Sequence, residues 1–388
     1  MHGIHAPDFG LFMAVIGLTL FGLVMVYSAS SPVAYRSYGQ ADYLFIKQLI
    51  SALIGLALLG LLTRLDYHRL AALDERLLLG ALGLTLLTFL PGLSVRHQWL
   101  RLGSFTLQPT ELLKFALIVY FASSLARRPS QKGTGFGEAA LPYLIIAGLA
   151  GLLALAQSDL GMASIYGAIT LFMLFVGGVR LRYFLLPTLA ALPLLAGLIL
   201  SSGYRRDRII AFLHPFRYSE GAGYHLIQSL TALGSGGLFG RGLGASHQKW
   251  LYLPEAYNDF IFAVIGEELG LLGALALIGL FGYLSYKGVQ IALRAPDRLG
   301  QLLAGGITFA LACQAAVNLG VAVGALPITG LTLPLVSYGG SSLIVSLAMS
   351  GVLLNISRYS QVGQRFTGTV RGAKLFAGVG PSRRRVWR

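Results

Sequence analysis

The sequence has 388 residues, 55% of them hydrophobic and 12% charged, with a formal net charge of +15. Soluble domains carry about 25% charged residues, so water is not the main solvent of this chain. The basic surplus lies in loops and in the tail from Arg358 to Arg388, a placement that suits anionic lipid headgroups and not nucleic acid.

Cys313 is the only cysteine, which excludes an intrachain disulfide. Fifty glycines fit close helix packing in lipid. Met1 to Asp8 lacks Lys and Arg, and the apolar run from Phe9 to Val26 is long enough to span a bilayer, so a first transmembrane helix is expected and not a cleaved leader.

In chain order, apolar stretches of membrane-crossing length fall near 9–28, 46–63, 77–93, 110–126, 141–157, 162–179, 183–201, 260–286, 301–326 and 339–357. The expected fold is therefore all-α, a polytopic membrane protein with ten transmembrane helices. Of 30 Lys and Arg residues, 19 fall on the side of the termini and 9 on the other, six of those nine in one loop over 202–259. The positive-inside rule then puts both termini in the cytoplasm and makes 202–259 one large non-cytoplasmic loop. The links 94–109, 158–161 and 327–338 share its side. No repeat is visible, so 1–360 reads as one transmembrane domain and 361–388 as a disordered basic cytoplasmic tail.

The unusual polar residues gather on that side. Gln108-Pro109-Thr110-Glu111 reads as a helix start, with proline in the first turn and an acid near the positive end of the helix dipole. Lys114 then lies about 7 Å into the membrane, either ion-paired with Glu111 or facing an anion in a polar cavity. Asp159 in Gln157-Ser158-Asp159-Leu160-Gly161 either caps the next helix or lines a site at the rim. Tyr204-Arg205-Arg206-Asp207-Arg208 suits a diphosphate, because guanidinium forks match phosphate oxygens, or serves as a collar for lipid phosphates. Gly234 to Gly244 is glycine-rich, but no strand precedes it, so nucleotide binding is not supported.

Glu255-Ala256-Tyr257-Asn258-Asp259-Phe260 leads into the eighth span, where Asn258 or Asp259 could cap the helix and Asp259 could act as a base. A helix N-terminus lowers a carboxylate pKa, and burial raises it. Glu267 and Glu268 follow about 12 Å along the same helix, placed to neutralise buried cations such as Lys114 or to stay protonated. The link from Pro327 to Ser342 holds two prolines and paired glycines, an irregular segment dipping toward the bundle with hydroxyls at Ser337 and Ser341.

Together these residues resemble the SEDS proteins (shape, elongation, division and sporulation). The resemblance rests on Trp99-Leu100-Arg101 through Lys114, Gln157 to Gly161, Tyr204 to Pro215, Pro254 through Gly270, and Gly330 through Ser342, and it covers about residues 10 to 360. Gln248-Lys249 before Tyr252-Leu253-Pro254-Glu255, together with Leu331 to Pro334, looks more like division-type members than elongation-type ones. Ser158 stands where proline is common, Tyr257 where histidine is common, and Leu251 where division-type members often carry an acid.

The resemblance implies a peptidoglycan glycosyltransferase of the bacterial cytoplasmic membrane that polymerises lipid II. Its implied partners are a class B penicillin-binding protein and other divisome membrane proteins. It casts Asp259 as the catalytic base and Arg101, Lys114, Arg205 and Arg208 as holders of the diphosphate. Glu111, Asp159, Glu255, Ser337 and Ser341 complete the expected substrate site. No cofactor is firmly implied, with room for a divalent cation such as Mg2+ or Mn2+. The rival readings are an elongation-type polymerase, a flippase for lipid-linked precursor and a scaffold.

Overall fold

The computed structural model describes residues 5–359 except 96, 104, 129–134, 202, 219 and 220. The basic tail expected over 361–388 lies outside the described residues. The elements in order are α1 (Phe9–Tyr38), α2 (Tyr43–Arg64), α3 (Tyr67–Ala71), α4 (Asp74–Leu87), β1 (Ser94–Val95), β2 (Trp99–Leu102) and β3 (Phe105–Leu107). They continue as α5 (Pro109–Arg127), α6 (Phe136–Ala139), α7 (Leu141–Ala156), α8 (Leu160–Val176), α9 (Leu181–Leu200), α10 (Gly203–Leu213) and α11 (Ala222–Ser235). Last come α12 (Ile261–Arg294), α13 (Arg298–Ala322) and α14 (Gly340–Tyr359).

Six of these helices, α1, α2, α5, α12, α13 and α14, are long and apolar enough to cross a membrane. Shorter apolar helices lie at 141–156, 160–176 and 181–193. The chain is a helical, polytopic membrane protein. α5 and α14 are buried along most of their length and form the centre, whereas α1 and α2 turn many apolar side chains outward. That distribution is expected where lipid, not water, surrounds the bundle.

Three observations depart from the sequence reading. The segment 94–109 is not a bare link: β1, β2 and β3 form an antiparallel sheet in the order β1-β2-β3. The loop 202–259 is itself structured, carrying α10, a 3-10 turn at Pro215–Tyr218 and α11. The third departure is in α12, which is interrupted at Gly270, with φ 69° and ψ −168°. Only glycine adopts that conformation without strain.

The interruption is closed by the loop. The carbonyls of Glu267 and Glu268 accept from the amides of Arg241 and Gly242, both at 3.0 Å. The amides of Leu271 and Leu272 donate to the carbonyls of Gly237 at 2.9 Å and Leu238 at 3.2 Å. Four backbone groups that a continuous helix would pair internally are thus paired with 237–242, so none is orphaned. The piece 271–294 is about 36 Å long, enough alone for a hydrocarbon core of about 30 Å. Glu267 and Glu268 therefore belong to the short piece before the break and not to the depth of one continuous helix.

Candidate active site

A cavity of about 920 Å³ opens where α2, the β-sheet, the start of α8, the loop before α12 and the link 327–340 meet. Local geometry aims each polar group into it.

Asp159 is the N-cap of α8: its Oδ1 accepts from the Met162 amide at 2.8 Å, while Gln108 Nε2 donates to Oδ2 at 3.4 Å. The capping reading and the rim reading both hold, because the capped carboxylate also lines the cavity. Ser158 turns the chain there with φ 62°. Burial pushes the Asp159 carboxyl up to about 7; the Met162 amide opposes this, Glu111 adds to it, and Arg208 and Lys114 oppose it.

Asp259 is set by a different device. Glu255 adopts a left-handed backbone, φ 53°, and its carbonyl accepts from the amides of Asn258 and Phe260. The resulting turn delays α12 to Ile261, and neither Asn258 nor Asp259 caps it, contrary to the capping reading. The Asp259 carbonyl instead accepts from Asn318 Nδ2 at 2.8 Å, and its Oδ1 is shielded with no hydrogen-bond partner among the described residues. Burial raises this carboxyl to about 7, helped by the Glu255 charge and, more weakly, by Asp159, and opposed by Arg208.

Arg208, on α10, donates to the Ile328 carbonyl at 3.2 Å. Gly330, with φ 79°, lies between Arg208 and Asp259: a Cβ there would stand 3.7 Å from Asp259 Oδ2 and 4.0 Å from Arg208 Nη1. The absence of a side chain at Gly330 leaves this cation and acid facing one space. Glu255 is exposed on the cavity wall. Ser341 accepts from the Gln108 amide at 2.9 Å and donates to the Thr106 carbonyl at 3.3 Å, tying the sheet to α14 at the cavity edge.

The remaining expected residues fall elsewhere. Glu111 and Lys114 form a fully buried ion pair beneath the cavity, and Lys114 Nζ also donates to Gln314 Oε1 at 2.5 Å. Gln314 Nε2 donates to the Thr332 carbonyl at 3.0 Å, and Thr332 Oγ1 to Ser342 Oγ at 2.9 Å, so the pair reaches the cavity wall only through intermediaries. Ser337 is buried and accepts from the Leu333 amide at 2.8 Å. Arg101 is exposed on β2 and does not line the cavity. The Arg205 side chain lies outside the described residues.

Glu267 and Glu268 do not neutralise Lys114. Glu268 pairs with Lys249 at 3.0 Å and accepts from Ser28 at 2.7 Å, while Glu267 accepts from Ser246 Oγ at 2.5 Å and the His247 amide at 3.0 Å. Among the described residues no three His, Cys, Asp or Glu side chains gather to hold a metal ion.

Sequence reasoning passed over Gln48, Gln314 and Asn318, amides buried inside apolar spans that hold the link 327–340 in place. Their signal was present: an uncharged amide inside a span needs partners across the bundle.

The family model described as cell cycle protein, FtsW/RodA/SpoVE, matches residues 9–362. A probable peptidoglycan glycosyltransferase FtsW from Geobacter metallireducens is 43% identical over 358 residues, covering 91% of this chain and 95% of the relative. A chain of a solved peptidoglycan synthase complex, described as coordinating polymerization and crosslinking, superposes with TM-score 0.72 and 31% identity, covering 91% of this chain and 98% of its own. The rod shape determining protein RodA of Thermus thermophilus superposes with TM-score 0.67 and 32% identity, over 91% and 97% of the two chains. The fold, the ordered motifs along it and these likenesses agree, and the chain belongs to the FtsW/RodA/SpoVE family.

Proposed function

We propose that this chain is a division-type peptidoglycan glycosyltransferase that polymerises lipid II on the outer face of the cytoplasmic membrane. The observation that carries the reading is the Asp259 carboxyl, whose Oδ1 is shielded and without a hydrogen-bond partner among the described residues, set near the Arg208 guanidinium beside Gly330 in one large cavity. The relatives named peptidoglycan glycosyltransferase FtsW support the activity and the division-type assignment. Apolar run length supports ten spans, and the Lys and Arg distribution over their loops supports cytoplasmic termini, which puts the cavity on the opposite side. The solved synthase complex, described as coordinating polymerization and crosslinking, supports a crosslinking partner, which the family resemblance casts as a class B penicillin-binding protein among other divisome membrane proteins.

In the proposed mechanism Asp259, with a carboxyl poised near 7, takes the proton of the acceptor sugar hydroxyl. The hydroxyl oxygen attacks the anomeric carbon of the donor. The bond from that carbon to the diphosphate breaks, its electron pair leaves with the diphosphate, and Arg208 receives the charge. Direct displacement inverts the anomeric centre, because Asp259 acts on the acceptor and not as a nucleophile. Asp159 and Glu255 orient sugar and loop, with Ser341 at the cavity edge. Glu111, Lys114 and Ser337 support the wall from beneath instead of meeting the diphosphate.

Lipid II supplied in detergent to the purified protein, alone and with a class B penicillin-binding protein, tests the reading. A polymerase makes glycan chains there; a flippase or a scaffold makes none. Asp259→Asn is expected to abolish chain growth while the protein still folds and unfolds in a cooperative transition no less stable than the native one at neutral pH. Near-native glycan synthesis by that variant would overturn the assignment.

A further inference from the structure

Two aromatic rings on the cavity wall have no part in the mechanism above. Tyr257 and Tyr338 both line the cavity and are both half-buried. Their ring centroids are 5.5 Å apart at 71°, an edge-to-face pair. The backbone beneath them is unusually constrained. The Tyr338 amide donates to the Tyr257 carbonyl at 2.9 Å. On either side of Tyr338, Gln48 Nε2 donates to the Ser337 carbonyl at 3.0 Å and Gln48 Oε1 accepts from the Gly339 amide at 3.1 Å. Gln48 is itself buried, so one side chain of α2 clamps both neighbours of Tyr338. The backbone that carries the rings is fixed before any ligand arrives and the rings rest against each other, which lowers the ordering cost of binding.

Neither phenol oxygen has a hydrogen-bond partner among the described residues, so each presents a free O–H beside an apolar face. Burial and then the Glu255 charge hold the Tyr257 phenol above its ordinary range, and burial carries Tyr338 to about 12. Both hydroxyls therefore remain donors throughout the neutral range. A pyranose ring has the complementary surface: axial C–H groups on one face and hydroxyls around its edge.

We propose that Tyr257 and Tyr338 form a sugar-ring platform that binds one pyranose of the lipid-linked disaccharide. The inference rests on the glycosyltransferase reading and adds to it the residues that recognise the glycan. The ring at 257 is also a chemical choice, since tyrosine gives a broad face with no charge change near neutral pH, which histidine would bring.

The test measures affinity and chain growth separately on the full-length protein in detergent, with lipid II as the probe. Tyr257→Phe and Tyr338→Phe keep the rings and are expected to weaken binding at most about threefold. Tyr257→Leu and Tyr338→Leu keep bulk but lose the ring, and each is expected to weaken binding about tenfold. In polymerisation the Leu variants should raise KM with kcat within about twofold, because the platform lies outside the proton and diphosphate chemistry. Thermal unfolding checks each variant, and the second tyrosine gives an independent reading if one Leu variant misfolds. Leu variants that bind as tightly as the Phe variants would overturn the platform. Chain growth by the native protein with no Phe-to-Leu difference rejects the platform alone. A clear difference without chain growth rejects the polymerase reading alone, and no binding of lipid II by the native protein rejects both.

Discussion

Asn318 holds Asp259 by its backbone: its Nδ2 donates to the Asp259 carbonyl at 2.8 Å and also to the Leu331 carbonyl at 2.6 Å. One amide on α13 thus fastens the loop before α12 to the link 327–340, the two walls that carry the acid and the glycine facing it. Asn318→Ala leaves two carbonyls to find other donors, at a cost of about 1–3 kcal/mol per buried group. The expected result is a lowered unfolding temperature and a fall in kcat larger than the change in KM, since the base shifts while the sugar-binding rings remain. Steady-state polymerisation kinetics beside a melting curve check this.

Activity should depend on pH through Asp259. Its carboxyl lies near 7, so below that value kcat/KM should fall about tenfold per pH unit as the base is protonated. Asp159 contributes a negative charge that raises Asp259. Asp159→Asn removes it, and the acid limb should move to lower pH. A limb that moves to higher pH in Asp159→Asn would contradict the coupling of the two carboxyls.

Stability should run the other way in the same window. Asp159 and Asp259 are both raised from 3.8 to about 7, so the folded chain keeps protons that the unfolded chain releases. Their contribution is fully present below about 4 and is lost as pH rises through about 7. Denaturation of Asp259→Asn across pH 4 to 8 should show a flatter slope than the native protein.

Lys114 makes its case through burial. It has no solvent access and holds Glu111 and Gln314 together. Lys114→Met strands a buried carboxylate, which costs about 3–5 kcal/mol. The double variant Lys114→Met with Glu111→Leu removes both charges and should recover much of that stability. Recovery of thermal stability together with chain growth is what the support role predicts; restored stability with chain growth still lost would instead point to contact with substrate.

At the break in α12, Gly240 lies against the Glu268 carbonyl and the Gly270 amide with φ 80°, and a Cβ there would overlap both. Gly240→Ala should destabilise the protein and expose the amides of Leu271 and Leu272 to faster hydrogen exchange. Gly237, where a Cβ meets nothing within 4 Å, is the contrasting position, strained only by its φ of 57°. Gly237→Asn, a side chain that tolerates this conformation, should cost less.

Much of the bundle was legible because apolar run length reports directly on what a bilayer requires. The start of α5 at Pro109 and the cap of α8 at Asp159 were legible for local reasons, each depending on residues within three positions. Other features depend on partners far along the chain. The Lys114 contact to Gln314 spans 200 residues, and although an amide inside a span calls for a partner, nothing local says which residue it is. The delayed start of α12 follows from a left-handed Glu255, a conformation that its residue type does not announce. The sheet of β1 to β3 uses strands of two to four residues, too short for an alternating pattern to emerge. The expected cluster around Asp259 gathered in part: Asp159, Arg208, Glu255 and Ser341 line one cavity, while Glu111, Lys114 and Ser337 lie behind its wall and Arg101 stands apart from it.

The loop stitched into the gap of α12 makes a rigid joint set apart from the cavity, since none of 237–242 lines it. To swing away, 237–242 would have to give up four backbone bonds at once, and the helix ends would be left bare where apolar surroundings offer no substitute. The short piece of α12 before Gly270 and the long piece after it are thereby fixed to one another through a single loop.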